Sequence, residues 1–340
     1  MTTFAKKSFN ASVYAASRPT YPKALFDYIF AYHESGVVSN KQPVSALRYK
    51  PRWDLAVDLG CGTGQATVEL TPFKKVVGVE PGEKMLDAAR KYLNERIVDS
   101  VDQSSPFPGP IDRSSSIGGE TGSSPTMAWL MANPDGSRLF VNSNAEDLSF
   151  LGPSTVDLVI AAQAAHWFDY SRLWPELDRV LRPNGTVAFW VYSEFRLPAY
   201  PSLTSLITDY AQGTDPATSL GPHWQRPGRT ILENHLLDIP EPSWGKTDRV
   251  FFTGSHYPDL PSPLPVILRT KTTWGALLTY FRSWSSLHTY LEHGREGIEV
   301  RFWNALREGA AKEGNTAVEE SDELMVEWPI GMMLVKKGDK

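Results

Sequence analysis

The stretch Leu55–Gln65 constrains this chain more than any other, and it reads Leu-Ala-Val-Asp-Leu-Gly-Cys-Gly-Thr-Gly-Gln. A short apolar run ends on an acid and then breaks into Gly60, Gly62 and Gly64 at alternate positions. That order predicts a strand, a glycine loop and a helix starting near Gln65. Glycine lets the backbone turn tightly and lets a ligand touch main-chain atoms with no Cβ in the way. The free N–H groups of the expected helix start would face the same place. A dinucleotide loop needs its third glycine after two intervening residues, so that pyrophosphate can sit there. Here the spacing is Gly-x-Gly-x-Gly, and Asp58 stands two residues ahead of the first glycine. An acid at that point suits a ligand with a cationic amino-acid end better than a pyrophosphate. An ordinary strand-to-helix turn is the competing account.

The neighbours decide between them. Lys75-Val-Val-Gly-Val-Glu80 predicts a second strand ending in an acid, 22 residues beyond Asp58. This is near the spacing at which a carboxylate meets ribose hydroxyls in nucleotide-binding sheets. One carboxylate accepts from both hydroxyls, although simple solvation also explains an acid at a strand end. Pro81-Gly-Glu-Lys-Met85 leads into a helix expected over 83–93; Met85 suits an adenine face or the core equally. Strand three is expected at Arg138–Asn142, followed by Asn144, Ala145 and Glu146, where Asn144 could instead cap a helix. Strand four, Val156–Ile160, runs into Ala-Ala-Gln163-Ala-Ala-His166-Trp167-Phe-Asp169. Ligands in open parallel sheets collect at the carboxyl ends of strands, so Gln163, His166 and Trp167 fall at reaction distance of such a ligand; a structural histidine is the alternative. A helix over 171–181 and strand five, Thr186–Tyr192, complete an alternation that predicts a doubly wound, mostly parallel seven-stranded sheet. Strand six is expected at Arg249–Thr253, one continuous helix at Trp274–His293, and one last strand at Glu323–Lys336.

The net charge of −5 supplies no basic face for nucleic acid. Cys61 is the single cysteine, which excludes an intrachain disulfide and fits a reducing compartment; inside the loop it reads as packing. No leader-like apolar segment and no run of about 18 apolar residues occurs, so a cytoplasmic protein is expected. No metal-ligand spacing is evident. The stretch 99–126 is rich in Ser, Pro and Gly and predicts a surface insertion, because such a composition buries too little apolar surface to offset its ordering entropy. The expected organisation is an N-terminal helical lid (1–50), a ligand-binding core (51–195) and an aromatic substrate cap that also returns the last strands (196–340).

Five segments together carry a resemblance: Tyr14…Arg18-Pro-x-Tyr-Pro, Val57-Asp-Leu-Gly-Cys-Gly-Thr-Gly64, Ala165-His-Trp-Phe-Asp169, Gly221-Pro-His-Trp-x-x-Pro-Gly-Arg229, and Arg282-Ser-Trp284 with His288. The chain resembles the fungal trans-aconitate methyltransferases and their relatives in the class I S-adenosylmethionine-dependent (SAM) methyltransferases, which share a Rossmann-like core. The resemblance implies SAM as cofactor, S-adenosylhomocysteine as its product and a small-molecule acceptor, with a carboxylate favoured. It implies cofactor contacts from Tyr14, Arg18, Asp58, Gly60, Cys61, Gly62, Gly64, Glu80, Pro81, Met85, Asn144, Ala145, Glu146 and Gln163. It implies reaction roles for His166, Trp167 and Arg229, and acceptor contacts from His223, Trp224, Arg229, Trp284 and His288. Arg229 would neutralise a second carboxylate on the acceptor. The alternatives are O- or N-methylation of a fungal metabolite, an NAD-linked oxidoreductase, and a non-catalytic protein of the same fold.

Overall fold

The computed structural model describes residues 18–37, 50–98 and 137–339. Tyr14 and the whole 99–126 insertion lie outside them. The described chain divides into two compact units. One, here the core unit, comprises Tyr21–Val191, Asp238–Val250 and the residues from Met332 onward. The other, the cap unit, comprises 18–20 with Tyr192–Leu237 and Phe251–Gly331.

The seven-stranded sheet is built from β1 (Leu55–Leu59), β2 (Lys75–Glu80), β3 (Ser137–Asn142), β4 (Val156–Ala162), β5 (Leu181–Tyr192), β6 (Gly245–Phe252) and a late strand, Ile330–Lys337. Its order is β3-β2-β1-β4-β5, then the late strand, then β6. The pairs β1/β2, β1/β4, β2/β3 and β4/β5 are parallel. β1 is buried along its whole length, as an uninterrupted Leu-Ala-Val run requires when both faces are covered. The strand order reverses between β1 and β4, and both carry their functional candidates just past their carboxyl ends.

Helices α1 (Lys23–Ser35), α2 (Glu83–Val98) and α3 (Tyr170–Val180) belong to the core unit. α1 buries Leu25, Phe26, Ile29, Tyr32 and His33. Phe26 meets Trp190 of β5 edge-on at 6.0 Å. Asp169 caps α3 by accepting the Ser171 N–H. The cap unit holds α4 (Thr204–Gln212), α5 (Gly228–Glu233), β7 (Arg269–Thr273), α6 (Trp274–Arg282), α7 (Ser285–Glu292), α8 (Ile298–Gly314) and β8 (Glu323–Glu327). β7 and β8 form a separate antiparallel ladder. The late strand Ile330–Lys337 is β9. Tyr210 of α4 stacks on Phe302 of α8 with centroids 3.7 Å apart. No helix among the described residues is long and apolar enough to cross a membrane.

Three elements differ from expectation. After the glycine loop there is no α-helix at 64–71, only a 3-10 turn at Thr67–Glu69. Gly64 has φ +83°, and Thr67 turns its hydroxyl inward onto Asp58, so the chain coils instead of climbing. The expected helix Trp274–His293 is two helices, broken where Trp284 takes an extended conformation (φ −76°, ψ 130°). The expected strand Glu323–Lys336 is β8 and β9, separated at Trp328-Pro329. Pro329 lacks an N–H for a ladder, and its carbonyl accepts from Ser193 instead.

Candidate active site

In the core unit the loop between β1 and β2 is closed by main-chain and carboxylate bonds. Gly60 and Cys61 both donate to the Val79 carbonyl. Gly60 has φ +64°, and a Cβ added there would lie 2.5 Å from the Ala164 Cβ, so conformation and space both require glycine. Glu80 ends β2 with one carboxylate oxygen accepting from Gly62 N–H (3.2 Å) and the other from Gly82 N–H (2.9 Å). Each oxygen keeps a second lone pair, as a carboxylate that receives two ribose hydroxyls must. Burial pushes the Glu80 carboxyl up, and the two N–H donors oppose that rise. Pro81 and Gly82 follow directly, and Met85 is buried on the first turn of α2 below Gly62.

Asp58 is fully buried on β1. Its Oδ2 accepts from Thr67 Oγ1 at 2.6 Å, while Oδ1 has no hydrogen-bond partner among the described residues. Burial pushes this carboxyl up to about 7, and the Glu80 charge adds to the rise. A buried acceptor left open under a backbone loop fits a ligand that brings a cationic amino group. Cys61 packs with Leu86, Ala89, Leu93 and Phe140, and burial lifts its thiol well above the ordinary range; its side chain is structural.

Past β3, Asn144 opens a turn rather than capping a helix, with the Asp147 N–H donating to its carbonyl. Ala145 is buried, and Glu146 accepts the Asp169 N–H at 2.8 Å, joining this turn to the start of α3. Past β4, Gln163 holds a left-handed conformation (φ 57°) while its N–H donates to the Trp190 carbonyl. Such strain in a non-glycine residue concentrates at functional sites. His166 is buried, and the adjacent Trp167 is one of the few exposed large apolar side chains. Their rings lie 4.7 Å apart. The glycine loop, Glu80, Met85, Ala145 and Gln163 therefore share one end of the core sheet.

The cap unit gathers a second set. Arg18 donates to Tyr192 Oη (3.3 Å) and to the Ser283 carbonyl (3.2 Å), and its guanidinium lies 5.7 Å from the Tyr280 ring centre. The structure thus places Arg18, expected at the cofactor, among cap-unit aromatics. Tyr280 meets Trp284 edge-on at 5.7 Å and accepts from Trp328 Nε1 at 2.9 Å. Trp284 lies 5.7 Å from Trp224. Trp224 covers the Arg229 guanidinium at 4.2 Å and anchors its own Nε1 on the Ala211 carbonyl.

Arg229 corrects an expectation. It is buried, and it pairs with Glu194 and with Glu233, the latter at 2.8 Å. Its fork is spent on the protein's own carboxylates, so it does not stand open to an acceptor's. Its neighbour Arg226 is exposed and binds Thr230 and Glu233. His223 is also structural in its contacts: a ring nitrogen lies 3.0 Å from the Pro216 carbonyl and the ring meets Tyr290. Gly221 of the same segment allows close packing, since a Cβ there would come within 2.1 Å of the Gly213 carbonyl oxygen. His288 sits beside Glu292 on α7 (3.3 Å), in the helix that follows the break at Trp284. Sequence reasoning missed Tyr192, Glu194 and Trp328 entirely. The one available signal was the position of Tyr192 and Glu194 at a strand's carboxyl end. Among the described residues no three His, Cys, Asp or Glu side chains are placed to hold a metal ion.

A methyltransferase-domain family model matches residues 57–110 and 123–189, the interruption falling in the Ser/Pro/Gly-rich insertion. The chain is 29% identical over 320 residues to the probable S-adenosylmethionine-dependent methyltransferase CRG1 of Saccharomyces cerevisiae, covering 90% of each protein. It is 29% identical over 149 residues to a trans-aconitate 2-methyltransferase of Azoarcus, covering 42% of this chain and 41% of that one. A solved type II methyltransferase candidate from Anaeromyxobacter dehalogenans has the same fold, with a TM-score of 0.58, 23% identity and coverage of 93% and 97%. These matches make the chain a SAM-dependent methyltransferase, with SAM as its cofactor. It is an enzyme, and the nicotinamide and non-catalytic alternatives fall away.

Proposed function

We propose that the chain methylates a small-molecule carboxylate, of the trans-aconitate-like polyacid class, to give a methyl ester. The observation that carries this reading is the cluster in which Arg18 lies over Tyr280, steered by Tyr192 and Ser283, beside Trp284 and Trp224. A planar guanidinium against an aromatic wall suits a carboxylate on an unsaturated or apolar frame. The partial similarity to a trans-aconitate 2-methyltransferase points the same way.

When bound, SAM supplies an electrophilic methyl carbon on a sulfonium sulfur. Asp58 and the loop Gly60–Gly64 would receive its amino-acid end, Glu80 its ribose, and Met85 with Asn144, Ala145 and Glu146 its adenine. Gln163, His166 and Trp167 would orient the acceptor oxygen. A carboxylate is ionised at neutral pH, so no side chain must remove a proton. The chain's contribution is alignment, a proximity effect worth up to ~7–11 kcal/mol.

Purified protein with methyl-labelled SAM should esterify members of a panel of di- and tricarboxylic acids, and the label should be released by mild base. Labelling of phenols or amines alone would overturn the carboxylate reading and require a base, a role that His166 would then have to take.

A further inference from the structure

The segment leaving β5 is held more firmly than a connecting loop needs to be. Ser193 N–H donates to the Pro329 carbonyl, and Arg196 exchanges main-chain bonds with Glu327. Arg196 also donates to the Glu194 and Phe195 carbonyls and to Tyr257 Oη. Glu194 is thereby fixed within the cap unit, two residues beyond the end of β5. Its side chain is 1% exposed. Oε1 is pinned by Arg229, whose other side is answered by Glu233. Oε2 is sealed from solvent and has no hydrogen-bond partner among the described residues. Tyr257 and Tyr280 both lie close enough to Arg229 to act on its charge, which places the cluster beside the aromatic wall.

A buried carboxylate oxygen without a donor is costly, and a well-anchored one has no conformational escape. The cost is recovered when a ligand supplies the donor. We propose that Glu194 is a specificity-determining residue whose Oε2 accepts a hydrogen bond from a hydroxyl or ammonium group that the acceptor carries besides its carboxylates. Arg229 is then a positioning residue that acts through Glu194. This rests on the carboxylate reading above, and it narrows that class to hydroxy- or amino-substituted polyacids, so that trans-aconitate itself, which carries neither group, would be a poorer acceptor than its substituted relatives.

Succinate, malate and aspartate share one frame and differ at one carbon by hydrogen, hydroxyl and ammonium; propane-1,2,3-tricarboxylate and citrate differ by one hydroxyl. The wild-type enzyme should favour the substituted member of each set by roughly tenfold or more in kcat/KM, the size of one satisfied buried acceptor. In Glu194→Gln the side-chain oxygen can keep Arg229 while an NH2 donor replaces Oε2. The preference for ammonium should vanish, the hydroxyl preference should shrink, and calorimetric affinity for S-adenosylhomocysteine should hold. An unchanged preference in Glu194→Gln, or a wild-type preference for the unsubstituted acids, overturns the role of Glu194 and leaves the carboxylate reading standing. Failure of the wild type to esterify any acid overturns that reading, and this inference with it. Should Glu194→Gln fail to fold, a wild-type preference for the unsubstituted acids still overturns the role of Glu194.

Discussion

At the residue scale Asp58 is a buried carboxylate under electrostatic tension. Its carboxyl, at about 7 when folded, titrates near 3.9 when the chain is unfolded. The folded state therefore holds a proton that the unfolded state has lost, and Asp58's contribution to stability falls as pH rises from ~4 through ~7. Asp58→Asn removes that slope. The thermal midpoint of the ligand-free variant should exceed wild type at pH 8 and approach it at pH 4. The gain is of a few kcal/mol at most, at ~1.4 kcal/mol per pKa unit. The same variant should bind SAM more weakly, so stability and ligand affinity move in opposite directions. Equal midpoint differences at both pH values would show that Asp58 titrates alike in the folded and unfolded chain.

Elements show what a sequence reveals and what it withholds. β1, β2 and β4 were legible because runs such as Ala-Val-Asp-Leu and Leu-Val-Ile are apolar on both faces and end in glycine or polar residues. The glycine loop and Glu80 were legible because backbone conformation and hydrogen-bond chemistry restrict the choice of residue there. The break inside 274–293 was not, because Ser283-Trp284 contains no proline or glycine and the apolar spacing runs on across it. Glu194 and Trp328 were illegible because their meaning comes from partners dozens of residues away. Arg229 was misjudged for the same reason: an arginine seen alone invites a ligand, and its two carboxylates appear only in the fold. One element carries its own prediction. α1 docks on the sheet through Lys336 of β9, whose Nζ donates to the His33 carbonyl (2.6 Å) and Thr186 Oγ1 (3.0 Å). Burial draws this amine down to about 7 from an unfolded value near ~10.4. The unfolded chain then holds the extra proton between ~7 and ~10, so this residue's contribution to stability rises with pH across that window. Lys336→Met should flatten the rise in denaturant midpoint between pH 7 and 9. His33, lowered to about 4, titrates outside that window. An identical slope in the variant would assign the rise to other groups.

At the scale of the whole molecule the chain visits the two units alternately. The core unit is completed by Asp238–Val250 and by the residues from Met332 onward, after the chain has left it twice. A chain ending at Val191 should therefore lose cooperative thermal unfolding, since it lacks β6 and β9; a sharp calorimetric transition from it would show the first five strands to be self-sufficient. The strand order carries a further consequence for biosynthesis. β9 lies between β5 and β6 yet emerges from the ribosome after both. Until it arrives, β5 has an open edge facing a gap one strand wide, and such edges invite mispairing between nascent chains. β9 is the keystone, and termination between β6 and β9 would yield an aggregation-prone product that still carries every glycine of the first loop.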